Sequence, residues 1–378
     1  GCPDIILHIH NAAAERGILL NPRLGLGGAY IVGSVSVGDD DIMGLIELVR
    51  RNNPWEKGGE IGDSGMLKRL ASQLVRPLRQ MNNLARSRAN VAHHYDLSND
   101  FYKLWLDSDM QYSCAYWPDQ NIDLEAAQSA KKAHIAAKLA LEPGQRVLDI
   151  GCGWGGMALY LNQIANVEIL GITLSGEQLK IARERAEAAG VSDRVKFELI
   201  DYRDLARTAH GQFDRIVSVG MFEHVGVPQF ETFFRSAANM LTDDGVMLLH
   251  TIGRLGKPGS TDAFTRKYIF PGGYIPALSE TLSASEKSKL IATDIENLRL
   301  HYALTLRAWY ARVCEQREAI ITMMDARFYR MWTFYLAGAT AAFEWGGMCN
   351  YQIQFARNRR SLPITRDYMA ISEADIRS

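Results

Sequence analysis

Arg146 to Gly156 reads Arg-Val-Leu-Asp-Ile-Gly-Cys-Gly-Trp-Gly-Gly, and this stretch decides the fold. The apolar run Val147 to Ile150 predicts a buried strand. Glycines at 151, 153, 155 and 156 predict a turn, and the amphipathic run Met157 to Gln163 predicts a helix. Strand, glycine turn and helix together present backbone to a nucleotide-like ligand in an open α/β sheet. A dinucleotide site wants G-x-G-x-x-G and an acid closing the second strand. Here the spacing is Gly151-x-Gly153-x-Gly155 after Asp149, and the second strand closes in Thr173-Leu174-Ser175. That pattern fits S-adenosylmethionine, which needs close backbone approach but has no pyrophosphate to seat. A purely structural glycine turn is the alternative.

Working outward, Val167–Thr173, Val195–Leu199, Phe213–Val219 and Gly245–Thr251 read as further strands. Ligands of a doubly wound sheet bind at the carboxyl ends of its strands. Asp149, Thr173, Asp201, Glu223 and His250 all fall at such ends. Thr173 and Gln178 are placed to hydrogen-bond a ribose. Ser175 is a candidate for the same role and, equally, a cap for the helix from Gly176 to Ala189. Asp201 offers an acceptor for an adenine amino group, and Tyr202, followed by Arg203, a stacking face.

Length and composition allow one large domain and one small one: 378 residues, 47% hydrophobic and 22% charged. A net charge of −1 gives no global field that favours nucleic acid or membrane, so such binding needs a local patch. Five scattered cysteines form neither a disulfide framework nor a C-x-x-C metal pattern. A reducing, cytoplasmic setting and no metal site are expected. No apolar run approaches the ~20 residues of a membrane span.

Residues 1–65 read as a small, mainly helical domain. Ile5 to Arg16 looks helical, Leu24 to Tyr30 looks like a glycine turn, and Asp41 to Arg51 is an amphipathic helix. Residues 66–92 form a basic amphipathic linker, in which Leu67, Leu70, Leu74, Leu78, Met81 and Leu84 share one helical face. Its lysines and arginines suit either anionic lipid headgroups or a strut between domains. Arg357, Arg359, Arg360 and Arg366 make a second basic cluster. Residues 93–378 hold the α/β core, with an insertion at about 254–345 rich in large apolar side chains. Cys114, a lone apolar-flanked cysteine, reads on its own chemistry as packing.

At this point the chain resembles the bacterial cyclopropane-fatty-acyl-phospholipid synthases and the related mycolic acid cyclopropane synthases. The likeness rests on MQYSCAYW (Met110–Trp117), VLDIGCGWGG, GITLSGEQ (Gly171–Gln178), QFDRIVSVGMFEHVG (Gln212–Gly226), LLHTIG (Leu248–Gly253), KYIFPGG (Lys267–Gly273) and HYALTLRAWY (His301–Tyr310). It is strong over roughly residues 90 to 358. It implies a seven-stranded class I methyltransferase core and methyl transfer from S-adenosylmethionine to a cis double bond of an acyl chain in phospholipid. It also implies bound bicarbonate as the base that removes a proton and closes the ring. The family's base ligands fall on Cys114, Glu223, His250, Ile252 through its backbone, and Tyr302. Its cofactor contacts fall on Tyr112, Ser113, Gly151, Gly153, Thr173, Gln178, Tyr202 and Arg203. The resemblance further implies unsaturated membrane phospholipid as partner, peripheral attachment at the inner face of the membrane, and a homodimer. A methyl-branched product and a non-catalytic lipid-binding relative are the alternatives.

Overall fold

The computed structural model describes residues 4–59 and 98–377. The basic linker expected at residues 66–92 lies outside the described residues, and so does the basic run from Lys68 to Arg88.

The N-terminal unit begins with β1 (Leu7–Ile9), paired antiparallel with β2 (Val35–Val37). Between them lie α1 (Ala12–Leu20) and α2 (Pro22–Ile31), and α3 (Ile42–Arg51) follows β2. Two expectations fail here. The helix read over Ile5 to Arg16 starts only at Ala12, because the Asn11 side chain accepts the Ala14 N–H and caps it. Leu24 to Tyr30 is helix α2, not a turn. Its glycines serve close packing: a Cβ on Gly25 would stand 2.2 Å from the Gly17 carbonyl oxygen, and one on Gly27 2.8 Å from the Phe264 ring. Asp41 caps α3 as the amphipathic pattern predicted.

After α4 (Asn99–Lys103), capped by Ser98, and α5 (Leu124–Leu139), capped by Asp123, the chain enters the sheet. The order is β3 (Arg146–Ile150), α6 (Gly156–Ala165), β4 (Glu168–Thr173), α7 (Gly176–Ala188), β5 (Val195–Leu199), α8 (Tyr202–Leu205), β6 (Phe213–Val219), α9 (Phe230–Met240) and β7 (Leu241–Arg254). Then come α10 (Ala263–Tyr268), α11 (Leu278–Lys287), β8 (Ile291–Asn297), α12 (His301–Glu315), α13 (Arg317–Met323), α14 (Ala326–Glu344), β9 (Met348–Ala356) and α15 (Asp367–Arg377). The seven strands lie in the order β5-β4-β3-β6-β7-β9-β8, with β9 antiparallel to both neighbours. The chain reverses its winding between β3 and β6, so a crevice forms at their carboxyl ends. Strand β8, within the expected insertion, is one of the two edge strands of this sheet.

Two apolar clusters cover the sheet. A third joins α4, α12 and α14 around Trp105, Trp309 and Trp332. Tyr30, Ile31, Val37, Ile42, Met43 and Leu45 of the N-terminal unit belong to that third cluster. Arg307 on α12 ties Glu344 on α14 to Glu47 on α3.

Strand β9 is unusual. Its alternation of Asn350, Gln352 and Gln354 with Tyr351, Ile353 and Phe355 reads as half solvent-facing. Yet all three amides are at most 1% exposed. Buried amides must be hydrogen-bonded: Asn350 and Gln352 meet His250, and Gln354 meets Thr293, the Lys138 carbonyl and Tyr368.

Candidate active site

A cavity occupies the crevice. Asp149, Gly151 and Gly153 line it from the end of β3, Thr173 and Gln178 from the β4–α7 junction, and Asp201, Tyr202 and Arg203 from the end of β5. Tyr112 and Ser113 approach from the segment before α5. Ten of the eleven cofactor residues predicted from sequence therefore line one space. Ser175 is the exception: its hydroxyl caps α7 by accepting the Gln178 N–H at 3.3 Å. The Thr173 hydroxyl is 3.1 Å from Gln178 Oε1, which sets both groups at the end of β4. Asp201 is already engaged. Its two carboxylate oxygens accept Arg203 Nε at 2.8 Å and Nη2 at 2.7 Å, and Arg203 lies over the Tyr202 ring.

Sequence reasoning missed the residues that hold the near wall. Lys131 on α5 is fully buried and donates to Gln111 Oε1 at 2.6 Å and Ser113 Oγ at 2.9 Å. Gln128, one turn earlier, donates to the carbonyls of Gln111 and Ser113 at 3.1 and 3.0 Å. Burial lowers the Lys131 ammonium to about 8. The available signal was a lysine on the apolar face shared with Ala127 and Ile135. Met221 and His224 also line the cavity, and burial pushes His224 down to about 4.

The residues present fit S-adenosylmethionine. Asp149 Oδ2 is buried and has no hydrogen-bond partner among the described residues. Burial raises its carboxyl to about 7, against the pull of Lys131. Such a group calls for a cation, and this cofactor carries an ammonium and a sulfonium. Gly153 holds φ at +55°, and a Cβ there would meet no protein atom within 4 Å. A side chain at that point would take up space left free in the cavity wall.

None of Cys114, Glu223, His250, Ile252 and Tyr302 lines this cavity. Glu223 lies between Met221 and His224, which do, and its Oε1 accepts the Ile252 N–H at 2.5 Å. Its Oε2 is buried with no hydrogen-bond partner among the described residues. Burial raises Glu223 to about 7, against hydrogen bonds from its own backbone and Ile252. Cys114 is buried, which pushes its thiol far up, and Sγ donates to the Ala115 carbonyl at 3.3 Å. Its segment is joined to the first turns of α12: the Ala115 N–H donates to Thr305 Oγ1 and the Trp117 N–H to His301 Nδ1. Tyr302, in that helix, packs against Trp309 and Phe343. His250 precedes Ile252 by two on the same face of β7, and both its ring nitrogens face amides of β9, Asn350 at 3.0 Å and Gln352 at 3.2 Å. The structure thus joins Glu223 directly to Ile252, places His250 beside them, and ties the Cys114 segment to the helix of Tyr302.

In the second basic cluster, Arg357 bonds the Ala238 carbonyl and Arg366 pairs with Asp294. Those two arginines serve the fold, while Arg359 and Arg360 are exposed.

Residues 82–353 match the mycolic acid cyclopropane synthetase family profile. The chain belongs to that family. Among its relatives, the cyclopropane-fatty-acyl-phospholipid synthase of Escherichia coli K12 is 40% identical over 86% of this chain and 84% of its own. A tuberculostearic acid methyltransferase of Mycobacterium tuberculosis is 32% identical over 93% and 82%. A solved mycolic acid cyclopropane synthase in complex with SAH and CTAB is 33% identical and superposes with a TM-score of 0.67, covering 71% of this chain and 98% of that one. Family members are S-adenosylmethionine-dependent, lipid-modifying methyltransferases, and this chain is an enzyme of that class.

Proposed function

We propose that the enzyme adds a methylene bridge across the cis double bond of acyl chains in membrane phospholipid. The observation that carries this is the double position of Tyr112. It lines the cofactor cavity, and it packs against Trp105 at 5.4 Å and Trp309 at 5.3 Å in the buried aromatic cluster. Tyr112 thus sets the cofactor cavity against an apolar, aromatic region, the surroundings an acyl chain would need.

S-adenosylmethionine, when bound, supplies an electrophilic methyl group on sulfur. Held by Asp149, Gly151, Thr173 and Gln178, it would give that methyl to the alkene of the acyl chain, the electron pair of the C–S bond remaining on sulfur. The resulting carbocation loses a proton from the added methyl, and those electrons close the ring. The chain's part is to exclude water, which would quench the cation, and to offer aromatic faces, each stabilising a desolvated cation by ~0.5–2 kcal/mol.

Bicarbonate, where held, supplies the base. The partnerless Glu223 Oε2 suits a small oxyacid with a hydroxyl to donate, and the neutral Cys114 and His250 add no competing charge. The Ile252 N–H is shared with Glu223, so binding draws on that hydrogen bond. The similarity to a tuberculostearic acid methyltransferase favours a second reading, a methyl-branched product.

Incubation of purified enzyme with S-adenosylmethionine and vesicles of unsaturated phospholipid tests this. A ring and a branched alkene add the same CH2, whereas a saturated methyl branch carries two further hydrogens and needs a reductant, so loss of the double bond without branching must be shown by fragmentation. Unchanged lipid under active-cofactor conditions overturns the proposal.

Membrane attachment is read as electrostatic and interfacial: no helix among the described residues is long and apolar enough to span a bilayer. Each basic group near an anionic surface adds ~1 kcal/mol. Changing Arg359 and Arg360 to glutamate tests the part of that surface the fold leaves exposed. Two lipid-facing copies in a homodimer would gain avidity, which sedimentation at micromolar concentration checks.

A further inference from the structure

His250 sits at the end of a buried chain of polar groups that no catalytic role yet uses. Gln352 Nε2 is 3.2 Å from His250 Nδ1, and Gln352 Oε1 accepts from Lys138 Nζ at 2.8 Å. Lys138 is 2% exposed and also bonds Glu296. Glu296 accepts from His134 Nε2 at 2.7 Å, and His134 Nδ1 meets Glu373 of α15 at 2.6 Å. Asp294, 3.9 Å from Lys138, is held by Arg366 at 2.8 Å.

Donor counting fixes the direction of this chain. An ammonium only donates. The Gln352 oxygen must therefore face Lys138, and its NH2 must face His250. Rotating that amide would set NH2 against NH3⁺ at a fully buried point, donor against donor. His250 Nδ1 must then accept. A neutral imidazole carries one proton, so it rests on Nε2. The structure sets Asn350 Nδ2 3.0 Å from Nε2, which would face donor to donor, so the network requires this amide turned over with its oxygen accepting, the two ends of an amide being alike in shape.

We propose that Lys138 and Gln352 act as positioning residues that lock His250 as the neutral tautomer bearing its proton on Nε2. The proposal rests on the reading of His250 as part of the base site, where the lock, with Asn350 taking the Nε2 proton and Gln352 capping Nδ1, removes the ring as a rival base. The charged groups around the ring are Lys131, Lys138, His134 and Glu296. Their cations, together with burial, hold the imidazole neutral, well below its ordinary range. The carboxylates Glu296, Asp294 and Glu373 face Lys138, Arg366 and His134, so the ammonium that orients Gln352 is itself held by balanced charge.

The test is two-bond 15N–1H correlation on the full chain labelled at histidine, with the His250 signals assigned by their loss in His250→Gln. In the wild type, Nε2 carries the proton and Nδ1 is bare from pH about 6 to about 8. Lys138→Met frees the amide and adds a second set of signals with Nδ1 protonated. Lys138→Arg restores the original pattern. Gln352→Glu puts a carboxylate on Nδ1 and protonates it. In Lys138→Met, kcat falls at least about ten-fold while KM for S-adenosylmethionine holds. This is far short of the ~10⁴ that a wrong tautomer costs where histidine is itself the base. A wild-type proton on Nδ1, or an imidazolium at neutral pH, overturns the lock even if no variant folds. An unmoved tautomer in Lys138→Met overturns the part assigned to Lys138. A moved tautomer with unchanged kcat upholds the lock and overturns the placement of His250 at the base site.

Discussion

The cofactor pocket and the proposed base site are neighbours built on opposite terms. The pocket is a space, walled by backbone turns at the ends of consecutive parallel strands. The proposed base site draws on buried groups from segments as far apart as Cys114 and Tyr302, each held by its own hydrogen bonds: Glu223 to the Ile252 N–H, His250 to the β9 amides, the Cys114 segment to α12. A pocket made of backbone tolerates change except where a side chain enters the space. A site made of buried polar groups is sensitive in the reverse way: little volume changes, but every unmade hydrogen bond is felt.

The sharpest break should come from Gly153→Val. At φ +55° a β-branched residue is strained, and the turn that it distorts lines the pocket. S-adenosylhomocysteine binding should fall below calorimetric detection while circular dichroism stays native. Near-wild-type affinity contradicts the cofactor placement. Gly151→Ala is the contrast, since its Cβ meets Met221 at 2.8 Å and the damage is to protein packing, read as a lower melting temperature.

Glu223→Gln comes next. It keeps the shape and removes the titratable group, so the chemical rate should drop ~10²–10³-fold, the usual scale for losing one placed polar group. Cofactor affinity should hold. Full activity at saturating lipid and cofactor ends the assignment.

Gly27→Ala touches neither site. Its Cβ would press on the Phe264 and Phe334 rings, costing ~1–3 kcal/mol in denaturant unfolding. A matching loss of cofactor affinity would show that the two regions are less separate than drawn.

The smallest effect is a proton count. Asp149, raised to about 7, is half protonated near pH 7 before a cation arrives. Binding favours the charged form and should release up to about half a proton, seen as a dependence of calorimetric enthalpy on buffer. The same raised value means that folded protein binds more protons than unfolded between pH about 4 and 7. Stability from this group is therefore lost as pH rises through that window, and cofactor binding restores it. Proton uptake on binding would place the cation elsewhere.

These differences also explain what the sequence made legible. The pocket could be read because strand ends and glycine spacing are local signals. Most of its residues followed from counting along short motifs, while Tyr112 and Ser113 came only through the resemblance. Two glycine-rich stretches nevertheless diverged: 151 to 155 turn because positive φ is needed, while 25 and 27 sit inside a helix because neighbours press close. Composition is the same in both, and only the tertiary partner differs. Asp201 looked free for adenine because its partner, Arg203, could not be told from a second ligand contact. The base site was legible only by resemblance. Glu223 and His250 mark strand ends, but nothing near Cys114 or Tyr302 announces a shared site. Lys138, Gln352 and Lys131 act through contacts that span up to 214 positions.

Strand β9 gives this contrast an order in time. It must slide between β7 and β8, closing a loop of about a hundred residues to meet β7, and such distant pairings form late. The crevice from β3 to β6 needs none of it. A chain emerging from the ribosome would therefore assemble a place for the methyl donor well before His250 receives the amides that set its proton. The polar face of β9 also polices that final step. A one-residue slip would trade Asn350, Gln352 and Gln354 for Tyr351, Ile353 and Phe355, stranding Lys138 against an apolar wall, so misregistered chains are rejected by the same groups that finish the site.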